Sequence, residues 1–340
     1  MDPLQKRRLG RSALEVTVLG LGGAPLVGLK APVPEAQARG AIEAAYAAGL
    51  RLFDTSPFYG LGLSEHRMGA VLREKPLHDF VLSTKVGRYL VPEAPEKVDH
   101  RLFLGTLNMR LVLDYSYDGV MRAVDQSFQR LGIERIDLLH IHDIDIWSQG
   151  SREAYEQRFA EAMDGAYRAV HQLREQGVVG AIGIGVNEVE PCLRAAAAGD
   201  FDGFMLAGRY TLLNQDALDA LLPLMAKKGM SLLIAAPYNS GILATGAVAG
   251  ARYNYLPAAP DIIARVQRIA AIAARHGVPL QAAALQFPLG HPAVAAVVPG
   301  AINAAEVEHN IALMRQAIPA AFWDELKQEQ LLPRHCPVPG

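Results

Sequence analysis

The sequence predicts an α/β fold of the (β/α)8 TIM barrel class. Short apolar runs that favour strands alternate with longer helical patterns along almost the whole chain, which is typical of parallel βαβ units. Polar residues close several of these strands, where barrels of this class keep their chemistry. A doubly wound sheet is the main alternative, but Gly20-Leu21-Gly22-Gly23 lacks the Gly-x-Gly-x-x-Gly spacing and no helix follows it at once.

The order of the elements follows from these patterns. Residues 8–23 are predicted to form a short β-hairpin, of which residues 16–22 are the first strand. Pro34-Glu35 begins an Ala-rich helix that ends at Gly49. The other strands are predicted at 51–54, 80–85, 136–142, 180–184, 203–206, 231–235 and 294–298. The other helices are predicted at 64–74, 118–131, 153–176, 188–198, 215–228, 261–276, 280–289 and 304–315.

Two long loops interrupt this alternation on the C-terminal face of the predicted barrel. Residues 86–117 follow the strand that ends at Lys85, and residues 143–152 follow the strand that ends at His142. Loops of this length in a compact fold are usually functional or mobile. Their aromatic residues, among them Tyr89 and Trp147, are candidates for the walls of a substrate pocket, although packing of each loop on itself is nearly as good an explanation.

The composition favours a soluble protein over a nucleic-acid-binding or membrane protein. The chain has 340 residues, with 33 basic and 35 acidic side chains, and we expect one domain over 1–340. Lys6-Arg7-Arg8 is too small a basic cluster to bind nucleic acid or an anionic membrane. The two cysteines suit a reducing cytosol, and no apolar leader or membrane-length run is present. We therefore expect a cytoplasmic location; the oligomeric state stays open.

Four polar side chains are expected to converge at one end of the barrel. Asp54, Lys85 and His142 end predicted strands, and Tyr59 follows the first of these. An ammonium about 4 Å from a phenol interacts strongly enough to move the phenol pKa from ~10 towards neutrality. The sequence thus predicts that Lys85, held by Asp54, lowers the pKa of Tyr59. Taken singly, the residues fit ordinary turns and solvated strand ends; their convergence favours a catalytic site.

Three motifs resemble those of the aldo-keto reductase family. Residues 52–60, followed by Ser64-Glu65, resemble the family signature Phe-Asp-Thr-Ala-x-x-Tyr-Gly. Residues 83–85 resemble its lysine strand, and residues 137–142 resemble its Asp-Leu-x-x-x-His strand. The resemblance extends from Arg8 to Asn310. It implies that Tyr59 is the acid/base, Lys85 and Asp54 tune it, and His142 positions the substrate carbonyl while a nicotinamide cofactor exchanges hydride.

The resemblance also implies a set of cofactor-binding residues. The segment after the seventh strand resembles the family's loop against the cofactor pyrophosphate, and its small residues suit close backbone approach to phosphate. The implied cofactor set is Gly22, Asn187, Tyr210, Pro237, Asn239, Ser240, Gly241, Leu243, Gly300, Glu306 and Asn310. The candidate substrate-binding residues are Phe58, Tyr89, Trp147 and Tyr238.

Two departures from the family pattern narrow the expected function. Residues 181–188 lack the usual Ser-Asn pair after strand five, and residues 206–210 lack the usual Gln after strand six. Both variants resemble a branch of aldose and pyridoxal dehydrogenases. Asn187 is then the candidate for the nicotinamide carboxamide, and Tyr210 for the ring stacked on the nicotinamide. The branch implies oxidation of an aldose such as L-fucose or D-arabinose to a lactone, with oxidation of pyridoxal to 4-pyridoxolactone as the alternative. A second alternative is a regulatory subunit that binds a nicotinamide nucleotide with little turnover.

The cofactor is predicted to be NAD rather than NADP. Segment 299–310 contains no Lys or Arg, and Glu306 matches the position of the family's arginine for the NADP 2′-phosphate. A carboxylate repels that phosphate and can accept a hydrogen bond from a ribose hydroxyl. Glu306 is equally an ordinary acidic residue of a first helical turn, and both interpretations can hold together.

A metal-dependent hydrolase is a weaker hypothesis. His140 and His142 alternate on one strand and could share a metal. The remaining histidines fall in predicted helices or loops rather than at other strand ends. We therefore predict no metal, and a small molecule as the partner.

Overall fold

A computed structural model of the chain describes residues 1–29 and 31–340. The strands are β1 (Lys6–Arg8), β2 (Glu15–Thr17), β3 (Leu21–Gly22), β4 (Leu52–Asp54), β5 (Val81–Val86), β6 (Arg88–Pro92), β7 (Met109–Leu113), β8 (Ile136–His142), β9 (Val179–Val186), β10 (Gly203–Ala207), β11 (Ser231–Ala235), β12 (Arg252–Tyr253), β13 (Leu256–Pro257) and β14 (Val294–Val298).

Parallel strands form the barrel. Its sheet runs in the order β3-β4-β5-β8-β9-β10-β11-β14. The two ends of this sheet meet through parallel bridges between Leu19 and Val297 and between Gly22 and Gly300. The predicted (β/α)8 barrel is thereby confirmed, and β1 and β2 pair as the predicted N-terminal hairpin.

Helices surround the sheet. They are α1 (Glu35–Ala47), α2 (Leu63–Leu72), α3 (Tyr117–Leu131), α4 (Ile146–Gln149), α5 (Arg152–Glu161), α6 (Tyr167–Glu175), α7 (Val189–Ala198), α8 (Leu221–Lys228), α9 (Ile242–Thr245), α10 (Pro260–Arg275), α11 (Leu280–Gln286), α12 (Ala304–Arg315) and α13 (Ala320–Gln328). A single π-helical turn, Ala162–Ala166, joins α5 to α6. None of the helices in the described residues has the length and apolar character that crossing a bilayer requires.

The N-terminal hairpin closes the bottom of the barrel. Leu9 and Val16 pack in one buried apolar cluster with Leu52, Val81 and Leu138 from the barrel strands. Each such side chain contributes roughly 1.5–3 kcal/mol when it is removed from water. Because the hairpin seals this end, the barrel interior opens only towards the C-terminal ends of the strands.

Some predicted boundaries are wrong for local reasons. The predicted strand 16–22 is split, because Val18 donates to Gln5 of the hairpin side while its carbonyl accepts from Val297 of the barrel. The predicted helix 215–228 begins only at Leu221. Upstream, the Asn214 side chain bonds both the backbone and the side chain of Asp216. Such local side-chain bonds compete with a helix.

The two long loops contain secondary structure that the sequence analysis did not predict. Strands β6 and β7 pair as an antiparallel hairpin within 86–117, and α4 lies within 143–152. Gly87, with a φ of 101°, turns the chain between β5 and β6. A Cβ at this position would lie 2.3 Å from the Tyr115 ring, so only glycine fits. The small hairpin of β12 and β13 and the helix α13 also lay outside the prediction.

Candidate active site

The four predicted catalytic side chains lie together at the C-terminal end of the barrel. The Lys85 ammonium is 2.7 and 2.9 Å from the two Asp54 carboxylate oxygens and 2.8 Å from the Thr55 carbonyl. It lies 4.8 Å from the centre of the Tyr59 ring. The Tyr59 and His142 rings are 6.0 Å apart, centre to centre, and nearly perpendicular at 85°. Their catalytic roles stay a prediction, but the expected convergence is present.

Strand register places the Asp54–Lys85 pair. Asp54 is paired with Ser83 across β4 and β5, and the Ser83 hydroxyl donates to Asp54 at 2.8 Å. Asp54 is 3% exposed and Lys85 is 2% exposed. A buried ion pair of this kind holds its members in place more than it adds net stability.

The structure corrects the predicted effect of Lys85 on Tyr59. Burial, followed by the negative charges of Asp54 and Asp143, raises the pKa of the Tyr59 hydroxyl well above its usual value. Because both oxygens of Asp54 bind the Lys85 ammonium, its positive charge is largely compensated. The prediction that Lys85 brings this pKa towards neutrality is therefore wrong for this arrangement. Tyr59 is protonated at neutral pH and can donate a hydrogen bond.

His142 is held in place by two neighbours. Its Nδ1 lies 3.2 Å from the Ser56 hydroxyl, and its carbonyl accepts a 2.6 Å hydrogen bond from Tyr115. Burial, together with the positive charges of Arg88 and Lys85, lowers the pKa of His142 well below its usual value. The imidazole is therefore neutral at neutral pH, as a group that orients an uncharged oxygen should be.

Arg88 and Asp143 border this site, and the sequence analysis did not assign them. Arg88 Nη2 is 2.9 Å from Asp143 Oδ2, and both side chains are about nine-tenths buried. Because neighbours on a strand face opposite sides, Arg88 points inward while Tyr89 points outward, where its ring lies 4.8 Å from the Arg122 guanidinium. This direction argues against a substrate contact of Tyr89, which stays a prediction. The opposite directions of Arg88 and Tyr89 follow from the strand β6, but residues 86–117 were interpreted as a loop.

The predicted substrate residue Phe58 lies beside the four catalytic candidates. Its ring centre is 6.1 Å from that of His142 and 5.2 Å from that of Phe103. The Arg88 guanidinium lies 5.1 Å from the same ring. Phe58 therefore forms an apolar wall between the loop 86–117 and His142.

A small cleft opens among the loops that follow β8, β9, β10 and β11. The predicted site residues Trp147, Asn187, Asn239 and Ser240 contribute to its walls. The other lining residues are Ala207, Gly208, Arg209, Ala236, Asn254 and Tyr255. Tyr255 comes from the β12–β13 hairpin, and its ring lies 5.5 Å from that of Trp147. No sequence signal pointed to Tyr255, because only the fold of that hairpin brings it over the barrel.

The segment after β11 has the properties expected of a nucleotide-binding loop. Asn239, Ser240 and Gly241 have positive φ angles of 46°, 61° and 97°, a strained conformation that clusters at ligand sites. Asn239 Nδ2 donates to the Gly208 carbonyl at 3.1 Å, whereas its buried Oδ1 has no partner in the described part of the chain. An unused buried acceptor beside the cleft fits a ligand that carries an amide or hydroxyl donor. Pro237 and Leu243 of this loop are buried.

Two predicted cofactor residues have other contacts. Tyr210 is 0% exposed, with its ring 5.3 Å from Phe287 and its hydroxyl 3.7 Å from Cys336 Sγ. This burial argues against the expected stacking of Tyr210 on nicotinamide. Asn187 lines the cleft, but its Nδ2 lies 3.1 Å from Asp145 Oδ2, so the amide also holds the loop after β8.

The remaining predicted residues lie around the start of α12. Glu306 accepts from the Ile302 backbone at 3.0 Å while Asn303 accepts from the Glu306 backbone at 2.8 Å. This arrangement resembles a capping box, but the Glu306 carboxylate binds the amide one residue before the N-cap. The Tyr238 hydroxyl donates to Asn310 at 2.7 Å and so ties the loop after β11 to α12. This contact places Tyr238 beside the predicted cofactor residue Asn310, and its contact with substrate stays a prediction. Gly22 and Gly300 form the bridge that closes the barrel nearby.

No cluster of three or more His, Cys, Asp or Glu residues that could hold a metal occurs among the described residues. His140 lies within the barrel at 0% exposure, and its Nδ1 is 3.2 Å from the Ser83 hydroxyl. Its ring therefore supports the Ser83–Asp54 contact rather than a second ligand position.

Comparison with known proteins identifies the family. Residues 18–329 match the sequence profile of the Aldo/keto reductase family. The chain is 44% identical to pyridoxal 4-dehydrogenase from Microbacterium luteolum, over 96% of this chain and 98% of that protein. It is 39% identical to D-threo-aldose 1-dehydrogenase from a Pseudomonas species, over 95% and 96%. The holo form of aldo-keto reductase AKR11C1 from Bacillus halodurans shares the fold, with a TM-score of 0.75 and 22% identity over 98% of this chain and 99% of that one. The chain is therefore an oxidoreductase that belongs to the aldo/keto reductase family.

Proposed function

We propose that the protein oxidises the anomeric hydroxyl of a cyclic hemiacetal to a lactone, with NAD as the hydride acceptor and Tyr59 as the acid/base. The observation that carries this proposal is the buried cluster in which the Asp54–Lys85 ion pair lies 4.8 Å from the Tyr59 ring, with His142 beside it. Two similar dehydrogenases, at 44% and 39% identity, are named for pyridoxal and for an aldose. Both compounds form cyclic hemiacetals, so one reaction covers both.

Each side chain has a role in this reaction. Oxidation requires the phenolate of Tyr59, which forms when the phenol releases its proton to solvent and which then accepts the proton of the substrate hydroxyl. In the reverse reduction the phenol donates that proton, and neutral His142 holds the same oxygen in both directions. The substrate C–H hydrogen leaves as hydride, for which a nicotinamide ring is the acceptor. Because burial and Asp54 raise the pKa of Tyr59, little phenolate is present at neutral pH, and the positive charge of an oxidised nicotinamide would favour it.

The residues around the cleft fit a nicotinamide nucleotide. Asn239 offers an unused acceptor, and the left-handed backbone of 239–241 suits phosphate contact. Asn187, Gly208 and Arg209 line the same cleft. We infer that these residues, together with the start of α12, hold the cofactor.

We propose an aldose such as L-fucose or D-arabinose as the substrate, with pyridoxal second because the 44% identical relative is named for it. An absorbance screen for NADH formation over L-fucose, D-arabinose, L-galactose and pyridoxal, followed by product analysis, tests this. We expect a sugar lactone. Formation of 4-pyridoxolactone with no aldose turnover would identify pyridoxal as the substrate instead of an aldose. No turnover of any hemiacetal would contradict the proposed reaction.

We expect NAD to bind more tightly than NADP, and Glu306→Arg to reverse this preference. The Glu306 carboxylate at the start of α12 repels a 2′-phosphate, whereas an arginine would pair with it. A charge-assisted contact is worth about 1.5–3 kcal/mol, so the affinity for NADP should rise about ten- to hundredfold. The measurement is the dissociation constant of each nucleotide by fluorescence titration.

Glu306→Gln is the matched control. The glutamine side chain can still accept from the Ile302 amide while it removes the charge, so it should relieve the repulsion without adding an attraction. We expect its NADP affinity to lie between those of the wild type and of Glu306→Arg. Tighter binding of NADP than of NAD by the wild type would show that Glu306 does not face the 2′ position.

A further inference from the structure

The guanidinium of Arg88 has a donor that the fold does not use. Arg88 is 8% exposed, and its Nη2 binds Asp143 at 2.9 Å. Its Nη1 is buried without a hydrogen-bond partner in residues 1–29 and 31–340. A buried, unpaired donor costs free energy comparable to a lost hydrogen bond, so a binding partner for this N–H is expected at the site.

The backbone on both sides of the ion pair is specialised. Gly87 adopts a φ of 101° immediately before Arg88, and Asp143 adopts a φ of 56° immediately after His142. A non-glycine residue in this left-handed region is strained, and such strain clusters at functional sites. The Asp143 amide donates to the Gly185 carbonyl at 2.8 Å, which fixes the carboxylate beside the end of β8.

The pair lies next to the atoms that would hold the reacting oxygen. Asp143 Oδ1 is 3.5 Å from His142 Nε2, and Asn187 of the cleft approaches the same oxygen at 3.3 Å. Burial alone would lower the pKa of Arg88, but Asp143 outweighs this effect and raises it. The guanidinium therefore stays charged, and the pair is neutral as a whole.

We propose that Arg88 and Asp143 together bind the substrate hydroxyl on the carbon next to the reacting carbon. That hydroxyl accepts a hydrogen bond from Arg88 Nη1 and donates one to the Asp143 carboxylate. A phenolate or carboxylate can only accept, so Asp143 would repel it. The pair therefore selects a neutral vicinal diol, as in the cyclic form of an aldose. This inference rests on the proposed oxidation of a hemiacetal and specifies its substrate class.

A substrate–variant cycle tests this contact. The sugars are D-arabinose and 2-deoxy-D-ribose, which is D-arabinose without its 2-hydroxyl. Arg88→Met should lower kcat/KM for D-arabinose about ten- to hundredfold, mainly through KM, as expected for a hydrogen bond to a charged group. For the wild type, kcat/KM for 2-deoxy-D-ribose should be about as low as kcat/KM of Arg88→Met for D-arabinose. Arg88→Met should lower kcat/KM for the deoxy sugar little further. Equal losses on both sugars would overturn the proposal.

Controls separate this effect from damage to the fold. Arg122→Met removes an exposed arginine of α3 that contacts Tyr89, the neighbour of Arg88 on β6. It should leave kcat/KM for both sugars unchanged. Because Arg88→Met leaves Asp143 buried without its partner, Arg88→Met/Asp143→Asn provides a neutral second variant. Asparagine tolerates the left-handed backbone at this position. Like Arg88→Met, this double variant should have similar kcat/KM values for D-arabinose and 2-deoxy-D-ribose.

A binding measurement keeps the two proposals distinguishable. Calorimetric affinity for both sugars is measured with the NAD complex of Tyr59→Phe, which retains Arg88. A preference for D-arabinose over 2-deoxy-D-ribose that disappears on adding Arg88→Met supports the contact, even if no lactone forms. Turnover of pyridoxal with no binding or oxidation of D-arabinose would overturn the vicinal-hydroxyl contact while leaving hemiacetal oxidation intact.

Discussion

Tyr59→Phe is expected to retain NAD binding and to lose about 10²–10⁴-fold in turnover. The substitution removes only the phenolic oxygen, so the ring can keep its packing near His142 and Phe103. Proton transfer by a positioned side chain is worth about this much in rate. The measurements are kcat for NADH formation with the best substrate and the dissociation constant of NAD.

Phe58→Leu is the comparison variant, because it changes the neighbouring apolar wall without touching a proton-transfer group. It should affect KM more than kcat, whereas Tyr59→Phe should affect kcat. Near wild-type turnover by Tyr59→Phe would eliminate Tyr59 as the acid/base. Loss of NAD affinity in the same variant would indicate a positioning role for the hydroxyl instead.

Much of the fold and the convergence of the four candidates could be predicted because both follow from local patterns. Strands β8, β11 and β14 have the predicted boundaries, since each is a mostly apolar run between helical patterns. Asp54 and His142 each occupy the last position of a strand, and Lys85 lies one residue from the end of β5. In a parallel barrel those ends share one face, so sequence position was sufficient to group them.

The sequence was least informative where the answer depends on tertiary surroundings. The sign of the Tyr59 pKa shift depends on burial and on how completely Asp54 compensates Lys85, neither of which is visible in the sequence. The roles of Tyr89 and Tyr210 stay predictions, but the fold turns the Tyr89 ring towards Arg122 and buries the Tyr210 ring against Phe287. Neither contact could be seen in the sequence, because each depends on residues distant along the chain.

Lys85→Met is expected to damage both stability and rate. Without the ammonium, Asp54 remains buried without its charge partner, which costs about 3–5 kcal/mol of unfolding free energy. The uncompensated carboxylate also raises the pKa of Tyr59 further, because Asp54 already raises it. Oxidation requires Tyr59 to accept a proton, so its pH profile should move to higher pH and its rate at neutral pH should fall about hundredfold or more.

The double variant Lys85→Met/Asp54→Asn separates the effect of the unpaired carboxylate from that of the lost ammonium. It removes both charges, so no unpaired ion remains and most of the stability should return, as observed for neutral replacements of buried ion pairs. Most of the rate at neutral pH should return as well, because the carboxylate that raises the pKa of Tyr59 is gone. Urea denaturation and pH–rate profiles of the wild type, the single variant and the double variant provide the comparison. If the double variant regained stability but not rate, the Lys85 ammonium would favour the ionised form of Tyr59 in spite of its pairing with Asp54.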